Sequence, residues 1–441
     1  MDGNINARWF AEKISDRTIK GIALETSALI RAGVLPVGTR LPAIRDLAFE
    51  LKVSPATISE AWSELRRQKI IVGRGRNGTS VSNERFVAKP ERLASSGIYV
   101  PGSVDLGGAV PDVTLLPNLV EAMAHGANVS DLNSYERSRI IDEFREVVEM
   151  RWPYRAEAML ATNGGYNAVY TCLRALVMPG STIAIEHPTS MRVLDIIEDL
   201  GVKIVPILCD ADGPLPTSLA QALLERPAAF FFQPRVHSVT GQLVSADRLC
   251  ELGDVLEGSE VLIIEDDGVG DISDAPPKSL GSRFPNRTVH ILSYSKTLGP
   301  DLRLAVLSGT KAIVDQIQSY RAFSAGWTSR ILQGAAAFLL RDPHVWEGIA
   351  AARRVYAERR IGLASALRNR GIAVQESHGL CLWVPVASEP FAMVTLAARN
   401  IVVVPGSKFS VLPSNHIRVA TSILRGSYDE IANAIALAHE T

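Results

Sequence analysis

The stretch Ser293-Tyr294-Ser295-Lys296-Thr297-Leu298-Gly299-Pro300-Asp301-Leu302-Arg303 sets one lysine beside two serine hydroxyls and shortly ahead of an arginine. An amine, two hydroxyls and a guanidinium suit a ligand that carries both an aldehyde and a phosphate. The Lys296 amine condenses with the aldehyde to a Schiff base, and Ser293, Ser295 and Arg303 donate to the phosphate dianion. Pyridoxal 5'-phosphate is a ligand of this kind, and its ring works as an electron sink only with a carboxylate near the pyridine nitrogen to keep it protonated. The apolar residues 261–264 run into Glu265-Asp266-Asp267, which reads as a buried parallel strand delivering carboxylates at its C-terminal edge.

Two further segments carry matching chemistry. Ala161-Thr162-Asn163-Gly164-Gly165-Tyr166 follows the β-like Met159-Leu160 and opens a helix, which offers free backbone N–H groups and a positive helix end to a phosphate. Asn415-His416-Ile417-Arg418-Val419-Ala420 centres an arginine in a β-like run. A guanidinium buried there needs an anion, either a ligand's α-carboxylate or an internal Asp or Glu.

These groups need large scaffolds to hold them, and the composition provides for that. A chain of 441 residues, 47% hydrophobic and 21% charged, is expected to fold into more than one globular domain. No apolar run reaches membrane-spanning length and the first residues lack the apolar core of a signal peptide, so a cytoplasmic protein is expected. Cys172, Cys209, Cys250 and Cys381 are far apart in apolar contexts, which reads as small buried hydrophobes rather than disulfides or metal ligands. Net charge is −1, but residues 1–82 hold 13 Lys and Arg against 8 Asp and Glu, a net of +5 that leaves −6 for the rest. A basic head on an acidic body fits a polyanion-binding module.

The order of elements in that head sharpens the reading. An amphipathic segment over 19–32 precedes a Gly- and Pro-rich loop, and Ile44, Leu47, Ala48 and Leu51 then recur at helical spacing. After Lys52-Val53, Ser54-Pro55 supplies an N-cap and a first-turn proline for a helix that turns Ile58, Ala61, Trp62 and Leu65 inward and Ser54, Ala56, Thr57 and Ser59 outward. Ile70-Ile71-Val72 and Thr79-Ser80-Val81 flank Gly73-Arg74-Gly75-Arg76-Asn77-Gly78, a hairpin with arginines at its tip suited to phosphates or a narrow minor groove. Residues 83–108 lose periodicity and gather Lys89-Pro90, Ser95-Ser96-Gly97 and Pro101-Gly102-Ser103, as an extended linker does. Beyond it, strand-like runs alternate with helical patterns, the mark of an open α/β sheet.

Residues 18–82 resemble the winged helix-turn-helix of GntR-family regulators. The rest resembles the fold type I aminotransferases that use pyridoxal 5'-phosphate, and the fusion resembles the MocR-type regulators. The resemblance implies a DNA-binding domain over 1–82, a linker over 83–108 and an aminotransferase-like effector domain over 109–441, a mainly parallel large subdomain with a smaller α+β one. It implies DNA contacts from Arg45, Thr57, Arg74 and Arg76. Lys296 then carries the cofactor and is the catalytic-type residue, Asp266 pairs with the pyridinium, and Gly165, Tyr166, Ser293, Ser295 and Arg303 hold the phosphate. Tyr135 reaches the phosphate in a neighbouring subunit of a head-to-tail homodimer, and Arg418 takes an effector's carboxylate. No metal is implied.

Three positions depart from that pattern. Ser190 stands where an aromatic stacks on the cofactor, Ser238, which keeps its place among the expected cofactor-binding residues, where an asparagine is common, and Gly268 where a tyrosine follows the two aspartates. With fewer donors to the ring, His187 and His237 become either substitute ligands or histidines satisfied by local backbone. The expectation is a regulator that senses an amine or amino acid bound beside or onto the cofactor. The alternatives are a working aminotransferase and a regulator for which pyridoxal 5'-phosphate is itself the signal.

Overall fold

The computed structural model describes residues 5–73, 78–82, 90–94 and 102–439. The chain divides into two compact units, one built on Met1–Pro90 and the other on most of the chain from Glu91 onward.

In the first unit, helices α1 (Ala7–Ala11), α2 (Ile19–Arg31), α3 (Ile44–Leu51) and α4 (Pro55–Arg67) precede strands β1 (Ile71–Gly73) and β2 (Thr79–Val81), which pair antiparallel. The start of α4 follows from local chemistry. Lys52 takes the left-handed conformation at φ 56° to end α3, Ser54 Oγ accepts the Thr57 N–H at 3.1 Å, and Pro55 occupies the first turn where no N–H is needed. The core gathers Ile22, Leu35, Leu47, Leu51, Ile58 and Leu65 around a fully buried Trp62, whose ring meets Phe10 edge-on at 6.1 Å. Phe10 comes from α1, which the residue pattern did not announce.

The second unit is an α/β body. Strands β3 (Val104–Asp105), β4 (Ala158–Thr162), β5 (Thr182–His187), β6 (Lys203–Asp210), β7 (Gly213–Pro214), β8 (Ala229–Phe232), β9 (Leu262–Asp267), β10 (Thr288–Ser293) and β11 (Ala305–Gly309) lead into β12 (Cys381–Pro385), β13 (Ile401–Val402), β14 (Val404–Pro405) and β15 (His416–Ala420). Among the described residues the large sheet runs β4-β11-β10-β9-β8-β5-β6-β7. Its centre, β5, β8, β9 and β10, is parallel, and β11 runs antiparallel to both β10 and β4. The central strands read as near-continuous apolar runs because helices cover both faces. A smaller sheet, β12-β15-β14, packs with the helices Pro343–Arg368 and Tyr428–Leu437 around Leu382, Val384, Ile417, Val419, Ile431 and Ile435.

The stretch expected as a linker has structure in its described parts. The backbone N–H groups of Arg92 and Leu93 donate to the Asp195 carboxylate at 3.2 Å. Further on, β3 pairs with β13, and Leu106 is buried in the core of the smaller subdomain. One cysteine reading needs correction. Cys172 and Cys381 are buried and all four thiols are free, but Cys250 is exposed on the helix Ala246–Leu256, because its position in the helical turn faces solvent.

Candidate functional site

The C-terminal edge of the parallel strands brings the chemistry together. In β9 successive side chains point to opposite faces, so Glu265 and Asp267 face one way and Asp266 the other. Glu265 accepts from Ser279 Oγ at 2.5 Å, the Leu280 N–H at 2.6 Å and His290 Nδ1 at 2.7 Å. Asp267 pairs with Arg235 at 2.5 Å, each side chain only 1% exposed, and accepts the Gly270 N–H at 3.1 Å. The Asp266 carboxyl makes no hydrogen bond or ion pair to another described residue, and it is the one left for the cleft. Burial pushes it up to about 6 against the pull of the Lys296 ammonium.

Lys296 follows the end of β10 and donates from Nζ to the Gly268 carbonyl at 2.7 Å. Burial lowers its amine, Asp266 opposes that, and the nearby Arg418 guanidinium lowers it further. A lysine so placed spends more time neutral and nucleophilic.

The phosphate cradle is legible from what a side chain would displace. Gly164 has φ 95°, and a Cβ there would lie 2.8 Å from Arg303 Nη2; a Cβ on Gly165 would lie 3.1 Å from the Ser293 side chain. The helix Gly165–Leu176 therefore opens against Ser293 and Arg303. Arg303, itself left-handed at φ 46°, donates from Nη2 to the Asn163 carbonyl at 3.2 Å, and the Ser295 N–H donates to Ser293 Oγ at 3.4 Å. Helix-end N–H groups, two hydroxyls and a guanidinium make a donor set for a dianion. With the Lys296 amine and the free Asp266 carboxylate, these residues fit pyridoxal 5'-phosphate.

Arg418, in β15, is 8% exposed; its Nη2 donates to the Gly107 carbonyl at 2.6 Å and its guanidinium lies 4.5 Å from the Phe409 ring. Cys381 and Lys296 share its surroundings, since each feels its charge. Tyr135 stands on the surface, 88% exposed and edge-on to Trp327 at 5.9 Å. Tyr166, expected on the phosphate, directs its hydroxyl elsewhere, to Ser190 Oγ at 2.8 Å, with the Arg192 guanidinium 4.5 Å from its ring. Ser238 donates its N–H to Gln233 Oε1 at 2.8 Å, and its carbonyl accepts from Cys381 Sγ at 3.4 Å.

Both histidines are spent on backbone. His237 Nδ1 accepts the Val239 and Thr240 N–H groups at 3.2 and 3.0 Å, which leaves the proton on Nε2 to donate to the Pro188 carbonyl at 2.8 Å. Burial lowers this imidazole to about 4. His187 Nε2 accepts the Val411 N–H at 3.2 Å. Local backbone describes His237, and His187 is held by backbone too, but by a segment distant in sequence.

In the first unit Arg45 is exposed on α3, and the Thr57 hydroxyl at the head of α4 is bonded to Ser54 Oγ at 2.9 Å. Arg74 and Arg76 lie outside the described residues. Sequence reasoning missed Arg40, which bridges to Ser80 and lies so close to Gly78 that a Cβ there would come 3.1 Å from its Nε, at the base of the hairpin. It also missed Arg192, whose signal was its place two residues after Ser190, and the buried Glu186, which accepts from Gln233 Nε2 at 2.8 Å.

Comparison with known proteins agrees with this geometry. Residues 102–435 match the model for the family described as aminotransferase class I and II, and residues 18–81 match that of the bacterial regulatory proteins, gntR family. The vitamin B6 salvage pathway transcriptional repressor PtsJ of Salmonella typhimurium is 30% identical over 406 residues, covering 90% of this chain and 93% of that one. The aminotransferase tdiD of Emericella nidulans is 25% identical over 308 residues, covering 62% and 70%. Among solved structures, the kynurenine aminotransferase of Pyrococcus horikoshii superposes with a TM-score of 0.69 at 19% identity over 76% of this chain and 90% of its own. LysN, the α-aminoadipate aminotransferase of Thermus thermophilus, does so with 0.69 at 21% identity over 80% and 95%.

Proposed function

Because the chain belongs to the GntR-family regulators of the MocR type, with a class I and II aminotransferase domain behind a DNA-binding head, we propose that it is a transcription regulator whose grip on an operator answers to pyridoxal 5'-phosphate and an amine or amino acid in the cleft around Lys296. The observation that carries this reading is the convergence of Lys296, Asp266, Ser293, Arg303 and the Gly164-Gly165 helix start on one strand edge.

When bound, pyridoxal 5'-phosphate supplies an aldehyde reactive toward amines and a ring that withdraws electrons. Lys296 presents the amine with its basicity lowered by burial. Asp266 holds a proton on the ring nitrogen. Gly165, Ser293, Ser295 and Arg303 grip the phosphate, and Arg418 orients the effector's carboxylate. The Arg418 bond to Gly107 gives that carboxylate a route outward, because Gly107 lies next to the end of the segment 83–108 that joins the DNA-binding domain, 1–82, to the effector domain, 109–441. An effector that draws the guanidinium from Gly107 changes the tether, and differential affinity for the two tether states shifts DNA affinity. The exposed Tyr135 suits a second copy's phosphate in a head-to-tail dimer, which gives two heads for a repeated operator. Arg45, Thr57, Arg74 and Arg76 are the DNA contacts of this reading.

One observation favours a second reading in which the cofactor alone is the signal. Ser190, Ser238 and Gly268 remove groups that tune the ring for turnover, and the 30% identical relative is named for repression of vitamin B6 salvage. Absorbance titration with pyridoxal 5'-phosphate, borohydride trapping and operator binding test both. We expect the visible band and the trapped mass on the Lys296 peptide, each lost in Lys296→Ala. A response of operator binding to the cofactor alone selects the second reading, and one that needs added amine the first. No band and no trapped mass in the natural protein refute both.

A further inference from the structure

Tyr166 sits in the first turn of the helix Gly165–Leu176, but its side chain leaves the helix end and reaches Ser190, hydroxyl to hydroxyl, at 2.8 Å. Ser190 is buried, so this contact is fixed by the fold rather than by a mobile surface. Arg192 is exposed and its guanidinium lies 4.5 Å from the ring centroid, closing one face of the ring from the solvent side. The phenol feels the charges of Asp266 and Arg418, the groups that bound the cleft. The ring is thus clamped at its hydroxyl and capped on one face, and its residue directly follows Gly165, where a Cβ would lie 3.1 Å from the side chain of Ser293 at the head of the Lys296 segment.

We infer that Tyr166, clamped by Ser190 and capped by Arg192, supplies the aromatic wall against which the flat ring of the cofactor lies. A serine at 190 leaves the space and the hydroxyl that admit the Tyr166 phenol. The two residues form one device: the small side chain makes room and the large one arrives from the phosphate-binding helix. Offset stacking of two conjugated rings adds to the burial of their faces. This inference rests on the reading that the cleft binds pyridoxal 5'-phosphate, and it moves the Tyr166 side chain from the phosphate to the ring.

Absorbance titration of the full chain with pyridoxal 5'-phosphate, together with the circular dichroism induced in the bound chromophore, tests it. Tyr166→Leu is expected to weaken binding about tenfold and to lose most of the induced signal, because it removes the wall. Tyr166→Phe and Ser190→Ala keep the ring but free it, so both retain affinity within about threefold and diminish the induced signal alike. The exchange Tyr166→Ser with Ser190→Tyr restores affinity from the opposite side. Were Tyr166→Leu to bind with natural affinity and an unchanged signal, Tyr166 would act only through its backbone and the inference would fall. Should Tyr166→Leu not fold, unchanged signals in Tyr166→Phe and Ser190→Ala refute it instead. Absence of binding by the natural chain refutes the cofactor reading itself, a result distinct from these.

Discussion

Replacing Glu186 by glutamine alters how stability depends on pH in a calculable way. Glu186 lies in β5, is 1% exposed, and has as partners the Gln233 amide at 2.8 Å and His237 Nε2 at 3.5 Å. Burial raises its carboxyl from 4.5 to about 8, opposed by the Gln233 hydrogen bonds and assisted by Asp266. Between those values the folded chain keeps a proton that the unfolded chain has released, so stability is full below pH 4.5 and falls as pH rises toward 8. At about 1.4 kcal/mol per unit the whole window amounts to at most ~5 kcal/mol, and relaxation around the ionised group lowers it. Glu186→Gln keeps the shape and the Gln233 contact without titrating. Two neighbours titrate in both proteins: Asp266, raised to about 6, also favours low pH, and His237, lowered to about 4, favours pH above 6.5. The difference between natural and Glu186→Gln chains cancels most of their effect. Urea unfolding of the two proteins at intervals from about pH 5 to about pH 8.5 is expected to show near-equal stability at the acid end and a variant advantage of about 2–4 kcal/mol near pH 8. Parallel profiles across that range would refute the claim that Glu186 is buried and protonated.

The adjacent aspartates should separate cleanly: Asp266→Asn is expected to weaken pyridoxal 5'-phosphate binding at least tenfold with little loss of stability, and Asp267→Asn to cost about 1–3 kcal/mol by leaving the buried Arg235 with Asp271 as its remaining carboxylate, as titration and urea unfolding report. Equal behaviour of the two would contradict the strand alternation on which their roles rest. Gly164→Ala puts a methyl 2.8 Å from Arg303 Nη2 on a backbone at φ 95°, and a loss of cofactor affinity of at least tenfold is expected; natural affinity would remove Arg303 from the cradle. Ser54→Ala removes the cap of α4 and should destabilise the DNA-binding unit by about 1 kcal/mol, read as a lower melting transition, while an unchanged transition would mean that the cap contributes nothing.

Much of this was readable along the chain because it is local. A serine and proline ahead of an apolar helical stripe specify where α4 begins, and an apolar run that ends in acids specifies a buried strand with polar groups at its edge. The Gly164-Gly165 helix start and the Lys296 segment are likewise contiguous, and their partnership was inferred from matching chemistry rather than from distance. What stayed hidden involves residues distant in sequence. Glu265-Asp266-Asp267 offers three carboxylates, and only the positions of Arg235, Ser279 and His290 show that two of them are occupied. The Tyr166 side chain could not be placed without Ser190, nor Leu106 without the core that receives it. Cys250 shared the apolar context of a buried residue and turned to solvent because helix phase, not composition, decides exposure.

The amino-acid sequence alone therefore determined which groups exist and which short elements present them, since caps, turns and hydrophobic period act over a few residues. The tertiary structure decided which group is left unpaired in the cleft, because that depends on ion pairs and contacts closed between strands and loops far apart in the chain.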